Sequence, residues 1–129
     1  MEQEKKLTLR LFPEELAVWK LPPDAPLPSL GPSGFWSVTR TDEELSVVSE
    51  SHAVPPGLSS EKGWRCIGVK GPLPFDLVGV LAALSAPLAE AGISIFVVST
   101  FDTDYLLVKD HQLELARTVL LRAGHDFVQ

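Results

Sequence analysis

The sequence contains a single cysteine, Cys66, among its 129 residues. One cysteine excludes an internal disulfide framework and any CxxC metal or redox motif. Cys66 stands in an apolar segment, so we expect a buried, unreactive thiol. The sequence also lacks a nucleophile–base pair, a glycine-rich phosphate loop and a metal-ligand spacing. These absences argue against an enzyme and predict neither a metal nor a cofactor.

Basic residues and long apolar runs are also scarce. Lysine and arginine number 11 against 17 acidic residues, for a net charge of −6, and they are scattered singly apart from Lys5–Lys6. This pattern predicts no nucleic-acid partner. The longest apolar stretch, Leu77–Leu88, is too short and too interrupted to span a bilayer. Met1–Lys6 has no apolar signal core. We therefore expect a cytoplasmic protein with no membrane partner.

The first half of the chain predicts strands separated by irregular segments. Leu7–Leu11 alternates apolar and polar residues, as a half-buried strand does. Phe12–Trp19 predicts a short helix with a proline near its start. The proline- and glycine-rich segment Leu21–Gly34 predicts an extended loop. Phe35–Thr39 and Glu44–Ser49 predict two strands joined by a turn.

The second half is more regular and starts with a predicted strand at Trp64–Val69. Asp76 is the predicted N-cap of a helix, and Gly92 its left-handed stop. Pro87 lies inside this helix and predicts either a kink or a restart capped by Ser85. The inward face of the helix is predicted to hold Leu77, Leu81, Leu84 and Leu88.

The remaining segments complete an alternating pattern. Ile93–Ser99 and Tyr105–Val108 predict strands. Asp110 is expected to cap a second helix that ends at Gly124, and His125–Val128 predicts a final strand. The inward face of the second helix is predicted to hold Leu113, Ala116, Leu120 and Ala123. The resulting order is strand, helix, strand, strand, helix, strand, the split βαβ pattern.

Three segments of the second half carry a family resemblance: Gly71–Phe75, Ala89–Ser94 and Ser99–Tyr105 resemble an ACT domain, specifically the small ACT proteins related to CASTOR-type arginine sensors. The resemblance implies an α+β fold of two ferredoxin-like (βαββαβ) ACT-type units with antiparallel sheets, the first degenerate. The implied domains are a degenerate unit at residues 1–62 and an ACT domain at residues 63–129.

The resemblance also implies a function, because ACT domains are regulatory modules that bind a free amino acid between two units. It implies a homodimer and a small-molecule ligand, held by the turn after the first helix and by the loop between the second and third strands. The implied ligand-binding residues are Gly92, Ile93, Ser94, Thr100, Phe101, Asp102, Thr103 and Asp104.

Other interpretations of these residues remain open. Asp102–Asp104 is also typical of a hairpin turn capped by its own aspartates, or of a DxD metal site. Gly92–Ser94 is typical of a plain helix C-cap. A scaffold protein with an ACT fold and no ligand is the alternative function. His125 stands beside Asp126, but that pair alone does not define a catalytic site. The tryptophans, Trp19, Trp36 and Trp64, are expected in the core.

Overall fold

The computed structural model describes residues 6–73 and 79–128, and the chain divides into two compact units. We call Met1–Pro13 with Arg65–Gln129 the helical unit, and Glu14–Trp64 the strand unit. This division into compact units does not test the predicted family domains, residues 1–62 and 63–129, which stay a prediction. The predicted N-cap Asp76 lies outside the described residues, as do Pro74, Phe75 and Leu77.

The fold is a mixed α/β fold with few helices and antiparallel strand pairs. Its elements, in chain order, are β1 (Thr8–Leu21), β2 (Ser37–Arg40), β3 (Leu45–Glu50), β4 (Ser60–Val69), α1 (Val80–Glu90), β5 (Ile95–Ser99), β6 (Asp104–Lys109), α2 (Leu113–Arg122) and β7 (Asp126–Val128). Short 3₁₀ turns occupy Ser51–Ala53 and Asp110–Gln112. Within residues 6–73 and 79–128, no helix is long and apolar enough to cross a membrane.

In the helical unit the strands run in the order β7, β1, β4, β6, β5. β5 and β6 are antiparallel, and β7 lies parallel to β1 through Thr8–Arg10. The predicted order of strands and helices from Trp64 onward is confirmed. One further feature was not predicted: the first part of β1 lies between β7 and β4. Arg10 and Phe12 therefore stand on an inner strand of this sheet and not at its edge.

Both helices of the helical unit pack on one face of its sheet. The buried cluster between them contains Leu9, Ile67, Val69, Leu84, Leu88, Ile93, Leu106, Val108, Leu113, Ala116 and Leu120. Both helices end as predicted, at Gly92 (φ 76°) and Gly124 (φ 100°). At the first end, the Gly92 N–H donates to the Ala89 carbonyl and the Ile93 N–H to that of Leu88, each at 3.0 Å. This is the bonding pattern of a Schellman motif.

Pro87 lies within α1, which continues to Glu90 without the predicted restart at Ser85. A residue other than proline at position 87 would donate its N–H to the Ala83 carbonyl. Here the His125 ring bonds to that carbonyl instead, with Nε2 as the donor at 3.1 Å. The other ring nitrogen, Nδ1, accepts a hydrogen bond from the Leu7 N–H at 3.1 Å. His125 is 2% exposed. The buried histidine therefore replaces the helix donor that Pro87 lacks, which lets the helix tolerate the proline.

The strand unit is fully described and contains no α-helix. Its strands β2, β3 and β1 pair antiparallel. Its core contains Ala17, Trp19 and Val47, covered by Leu21, Leu30, Val38, Val54 and Leu58. The buried Trp19 Nε1–H donates to Ser49 Oγ at 2.9 Å. The proline-rich segment is irregular, as predicted, and Arg40 holds it by donating to the carbonyls of Pro23 and Ala25.

The predicted helix at Phe12–Trp19 is wrong, because these residues belong to β1. Pairing decides the outcome: β1 bonds to β7 through residues 8–10 and to β3 through residues 16–21. Pro13 falls in the gap between these two ladders, so its missing N–H breaks neither of them. Trp19 is buried between half-buried Val18 and exposed Lys20, an alternation that fits a strand.

Three smaller predictions are also wrong. Leu81, which was predicted on the inward face of α1, is 38% exposed. Asp110 begins a 3₁₀ turn rather than capping α2, whose N-cap is Gln112. The Asp110 carboxylate instead accepts Arg65 Nη1 at 3.3 Å. Trp36 is 47% exposed and is not a core residue, whereas Trp19 and Trp64 are buried as predicted.

Candidate functional site

The loop between β5 and β6 is a tight hairpin turn closed by threonines. The Thr100 N–H donates to the Thr103 carbonyl at 2.8 Å, and the Thr103 N–H donates to Thr100 Oγ1 at 3.3 Å. Ser99 Oγ donates to the Asp104 carboxylate at 2.7 Å. The turn is therefore built from Thr100, Thr103 and Asp104, while Phe101 and Asp102 stand exposed at its tip.

This turn rests on the segment that follows β4. The Leu73 N–H donates to the Asp102 carbonyl at 2.7 Å, and Thr103 Oγ1 donates to the Val69 carbonyl at 2.6 Å. A Cβ on Gly71 would lie 3.0 Å from the Asp102 carbonyl oxygen and from Thr103 Cβ. Glycine thus permits the close approach of the two segments. The backbone of Asp102 is fixed, and its side chain remains exposed.

Beside this contact lies a groove of about 450 Å³. We call it the basic groove. All of its lining belongs to the helical unit: Arg10, Phe12, Gly68, Val69, Lys70, Gly71, Pro72, Asp102, Thr103, Tyr105 and Val128. Leu9, Ile67 and Phe127 face the core under the helices. The residues that follow them in their strands, Arg10, Gly68 and Val128, lie on the opposite face, because successive strand residues alternate between the two faces. The groove therefore opens on the face of the sheet that the two helices leave uncovered.

Two aromatic rings form one side of the basic groove over a glycine. The Phe12 and Tyr105 rings meet edge to face with centroids 6.1 Å apart. A Cβ on Gly68 would lie 2.9 Å from Phe12 Cε1 and 3.1 Å from the Tyr105 ring. Gly68 therefore provides the space that both rings occupy, and any larger residue would displace them.

The charged side chains of the groove are two cations and one carboxylate: Arg10, Lys70 and Asp102. The Arg10 guanidinium lies 5.1 Å above the centroid of the Phe12 ring, a cation–π contact that orients it. In the described part of the chain, neither Arg10 nor Lys70 makes an ion pair. Both signs of charge are thus available to a ligand within one cavity.

The other predicted ligand segment, Gly92–Ser94, lies apart from the groove. It precedes β5, and the turn at Thr100 follows β5. A strand rises about 3.3 Å per residue, so Ser94 and Thr100 are separated by roughly 20 Å. One small ligand cannot touch both segments of the same chain. Gly92 is exposed with open space around it, Ser94 is exposed, and Ile93 is a core residue at 5% exposure.

The structure therefore brings Asp102 and Thr103 of the predicted residues into the groove, and Gly92–Ser94 contributes none of the residues that line it. Sequence reasoning missed the main cationic and aromatic contributors, Arg10, Phe12, Lys70 and Tyr105. The signal was present in β1, where Arg10 and Phe12 share a face by the period of two. The helix predicted from Phe12 onward concealed it.

Nucleophilic and metal-ligating groups do not converge at this site. Among the described residues, no group of three histidine, cysteine, aspartate or glutamate side chains could hold a metal ion. Burial raises the pKa of the Cys66 thiol to about 12, which keeps it protonated and unreactive. Both ring nitrogens of His125 are engaged by backbone groups, so no catalytic pair forms with Asp126.

Comparison with known proteins gives the family of this mixed α/β domain. A family model described as an ACT domain matches residues 59–122. A second model, described as an N-terminal domain, matches residues 14–57. The chain belongs to the ACT-domain family.

Solved structures support the same fold over the whole chain. A protein of Agrobacterium tumefaciens, Atu0741, is 36% identical, with a TM-score of 0.90 over 96% of this chain and 93% of that one. The regulatory subunit of aspartate kinase from Thermus flavus is 12% identical, with a TM-score of 0.64 over 92% of this chain and 99% of that one, a likeness of fold alone.

Sequence relatives include a named sensor. The cytosolic arginine sensor for mTORC1 subunit 1 of Pongo abelii is 32% identical over 113 residues, which is 80% of this chain and 34% of that protein. The human sensor of the same name is 40% identical over 65 residues, half of this chain and 20% of that protein. The chain thus spans about a third or less of the length of these relatives.

Proposed function

We propose that this protein is a regulatory binding protein that senses a free amino acid. The observation that carries the proposal is the basic groove, which combines two cations and a carboxylate in about 450 Å³. Ligand sites typically span roughly 300–1,000 Å³. A free amino acid carries a carboxylate and an ammonium group on one carbon, and such a ligand needs both signs of charge at close quarters.

The chemistry of recognition follows from the three charged side chains. Asp102 accepts hydrogen bonds from the α-ammonium group, and a groove cation, Arg10 or Lys70, donates to the α-carboxylate. Thr103 and Gly71 fix the backbone on which Asp102 stands. Because that backbone is already ordered, binding costs little further entropy there.

We also propose that two further segments contact the ligand: Gly92–Ser94, and the turn residues Thr100, Phe101 and Asp104. These segments lie at opposite ends of β5, so one ligand can touch both only when they come from two copies of the chain. A homodimer is therefore proposed. β5 bonds to β6 and ends the strand order, and an open edge of apolar residues such as Ile95–Val98 favours pairing with another strand.

The proposed architecture is two ferredoxin-like ACT-type units, of which the first is degenerate. The absence of an α-helix in the strand unit fits degeneracy. The regulatory role is supported by the name of a relative, an arginine sensor. By analogy with the sensor, which is described as cytosolic, we place the protein in the cytoplasm, without catalytic activity, cofactor, nucleic-acid partner or membrane partner. Ligand binding acts by shifting the population of assemblies.

The test is thermal unfolding of the full chain with each proteinogenic amino acid at millimolar concentration. A ligand at about 100 times its dissociation constant adds roughly 2.7 kcal/mol, which shifts Tm by several degrees at this size. We expect one or a few amino acids to shift Tm in the wild type. The shift should shrink in Asp102→Asn and persist in the control Asp42→Asn, an exposed aspartate of the strand unit.

The alternative is a ligand-free scaffold with the same fold. It predicts no Tm shift with any of the twenty amino acids while the protein remains folded by circular dichroism. Sedimentation velocity with and without the active amino acid then tests regulation. An oligomeric state that does not change with the ligand would contradict the proposed mechanism, though not ligand binding.

A further inference from the structure

We propose that the basic groove selects an amino acid with a second carboxylate, so that the ligand is acidic rather than cationic. This inference rests on the proposed function and names the ligand class of the same groove. An α-ammonium group and an α-carboxylate occupy Asp102 and one cation. The second cation of the groove, whether Arg10 or Lys70, then remains for a negative group on the ligand side chain.

The charge of the groove is opposite to that of the chain. The lining carries Arg10 and Lys70 against Asp102, a net charge of one positive unit, whereas the whole chain carries −6. A local excess of positive charge on an acidic protein marks a place that attracts anions. It also repels a ligand with a cationic side chain, which would add a charge of the same sign.

Both cations are available to a ligand. In the described part of the chain neither is neutralised by an ion pair, and both side chains are exposed. Arg10 is held over the Phe12 ring at 5.1 Å from its centroid. A guanidinium in this position keeps its donor edge free for a carboxylate, and its planar fork binds one with two parallel hydrogen bonds.

The aromatic side of the groove supplies an apolar surface between the charged ends. Phe12 and Tyr105 lie over Gly68, where a Cβ would clash with both rings. A short aliphatic side chain can pack on these rings while its carboxylate reaches a cation. This arrangement matches a ligand whose two negative groups are separated by a few methylene carbons.

The test compares ligands that differ only in charge. Dissociation constants are measured by calorimetry for L-glutamate against L-glutamine and for L-aspartate against L-asparagine, with L-arginine and succinate as further probes. We expect an acidic amino acid to bind about tenfold or more tightly than its amide, the factor typical of a charge-assisted hydrogen bond. Succinate, which lacks the ammonium group, should bind more weakly than the acidic amino acid.

The variants assign the preference to the groove. In Arg10→Gln or in Lys70→Gln, whichever removes the cation that binds the side-chain carboxylate, the dissociation constant of the amide divided by that of the acid should fall toward one. The matched control is Arg117→Gln, since Arg117 also lies over a phenylalanine ring, that of Phe127 at 5.7 Å, but lies outside the groove. Its ratio should equal that of the wild type. Circular dichroism and Tm verify that each variant is folded.

The outcomes separate this inference from the proposed function. If a neutral or cationic amino acid binds most tightly, the protein still senses an amino acid, but the acidic selection is overturned. If an acidic amino acid binds best and neither groove variant changes the ratio, the selection does not arise in this groove and the inference is also overturned. If no amino acid binds, the proposed function fails, and this inference fails with it.

Discussion

The helical unit and the strand unit cover their sheets by different means. In the helical unit, leucines of α1 and α2 such as Leu84 and Leu120 close a continuous core against one sheet face. In the strand unit, which has no α-helix, loop residues such as Leu30 and Leu58 pack on Trp19. The helices leave the opposite sheet face of the helical unit uncovered, and the basic groove lies there. A core built by helices on one side thus frees the other side for a ligand.

The largest expected effect tests the helix-built core. We expect Leu84→Ala to lower the free energy of unfolding by about 2–5 kcal/mol, because Leu84 is fully buried and its loss leaves a cavity. Leu81→Ala on the same helix is the control, since Leu81 is 38% exposed, and should cost less than about 1 kcal/mol. Urea unfolding measures both. Equal losses in the two variants would contradict the assigned inward face of α1.

The next effect concerns the histidine that compensates for Pro87. His125→Leu leaves the Leu7 N–H and the Ala83 carbonyl without their partner, and we expect a cost of about 2–3 kcal/mol. In the Pro87→Ala background the new N–H can bond to Ala83, so the same change should cost less. A double-mutant cycle by urea unfolding measures the difference. Strictly additive costs would show that the histidine does not serve the helix.

A smaller effect tests the core of the strand unit. Trp19→Phe removes the Nε1–H that donates a hydrogen bond to Oγ of buried Ser49. We expect the free energy of unfolding to fall by about 1–2 kcal/mol. In Trp19→Phe the Ser49 hydroxyl keeps only its bond to the Glu50 carbonyl, at 3.1 Å. Adding Ser49→Ala removes this hydroxyl, so the double variant should lose less than the sum of the single variants. Hydrogen exchange resolved along the chain reports which amides lose protection. Loss confined to residues outside Glu14–Trp64 would contradict this assignment.

The smallest effect concerns the proline-rich loop of the strand unit. Arg40→Gln removes donors to the carbonyls of Pro23 and Ala25 on the exposed surface. We expect no more than about 1 kcal/mol of lost stability, but faster proteolysis within residues 22–34, because loops held by few contacts open locally. Limited proteolysis with mass spectrometry reads the cleavage sites. An unchanged cleavage rate would mean that the prolines alone hold the loop.

Local sequence signals predicted most of the helical unit and only part of its groove. The strand and helix order after Trp64, and in the strand unit the irregular loop that follows β1, are explained by periodicity and by proline and glycine, which act within a few residues. The predicted turn residues Asp102 and Thr103 line the groove. Arg10 and Lys70 could not be paired in advance, because they lie 60 residues apart in the sequence and meet only when β1 and β4 are neighbours.

The sequence by itself determined where the helices stop. Gly92 and Gly124 adopt left-handed φ values that other residues rarely accept, so each ends its helix whatever lies nearby. Only the tertiary structure decided that Phe12–Trp19 is a strand and that a histidine near the end of the chain replaces the donor missing at Pro87. Both depend on hydrogen bonds between distant segments, and a local pattern carries no information about which distant partner will be there.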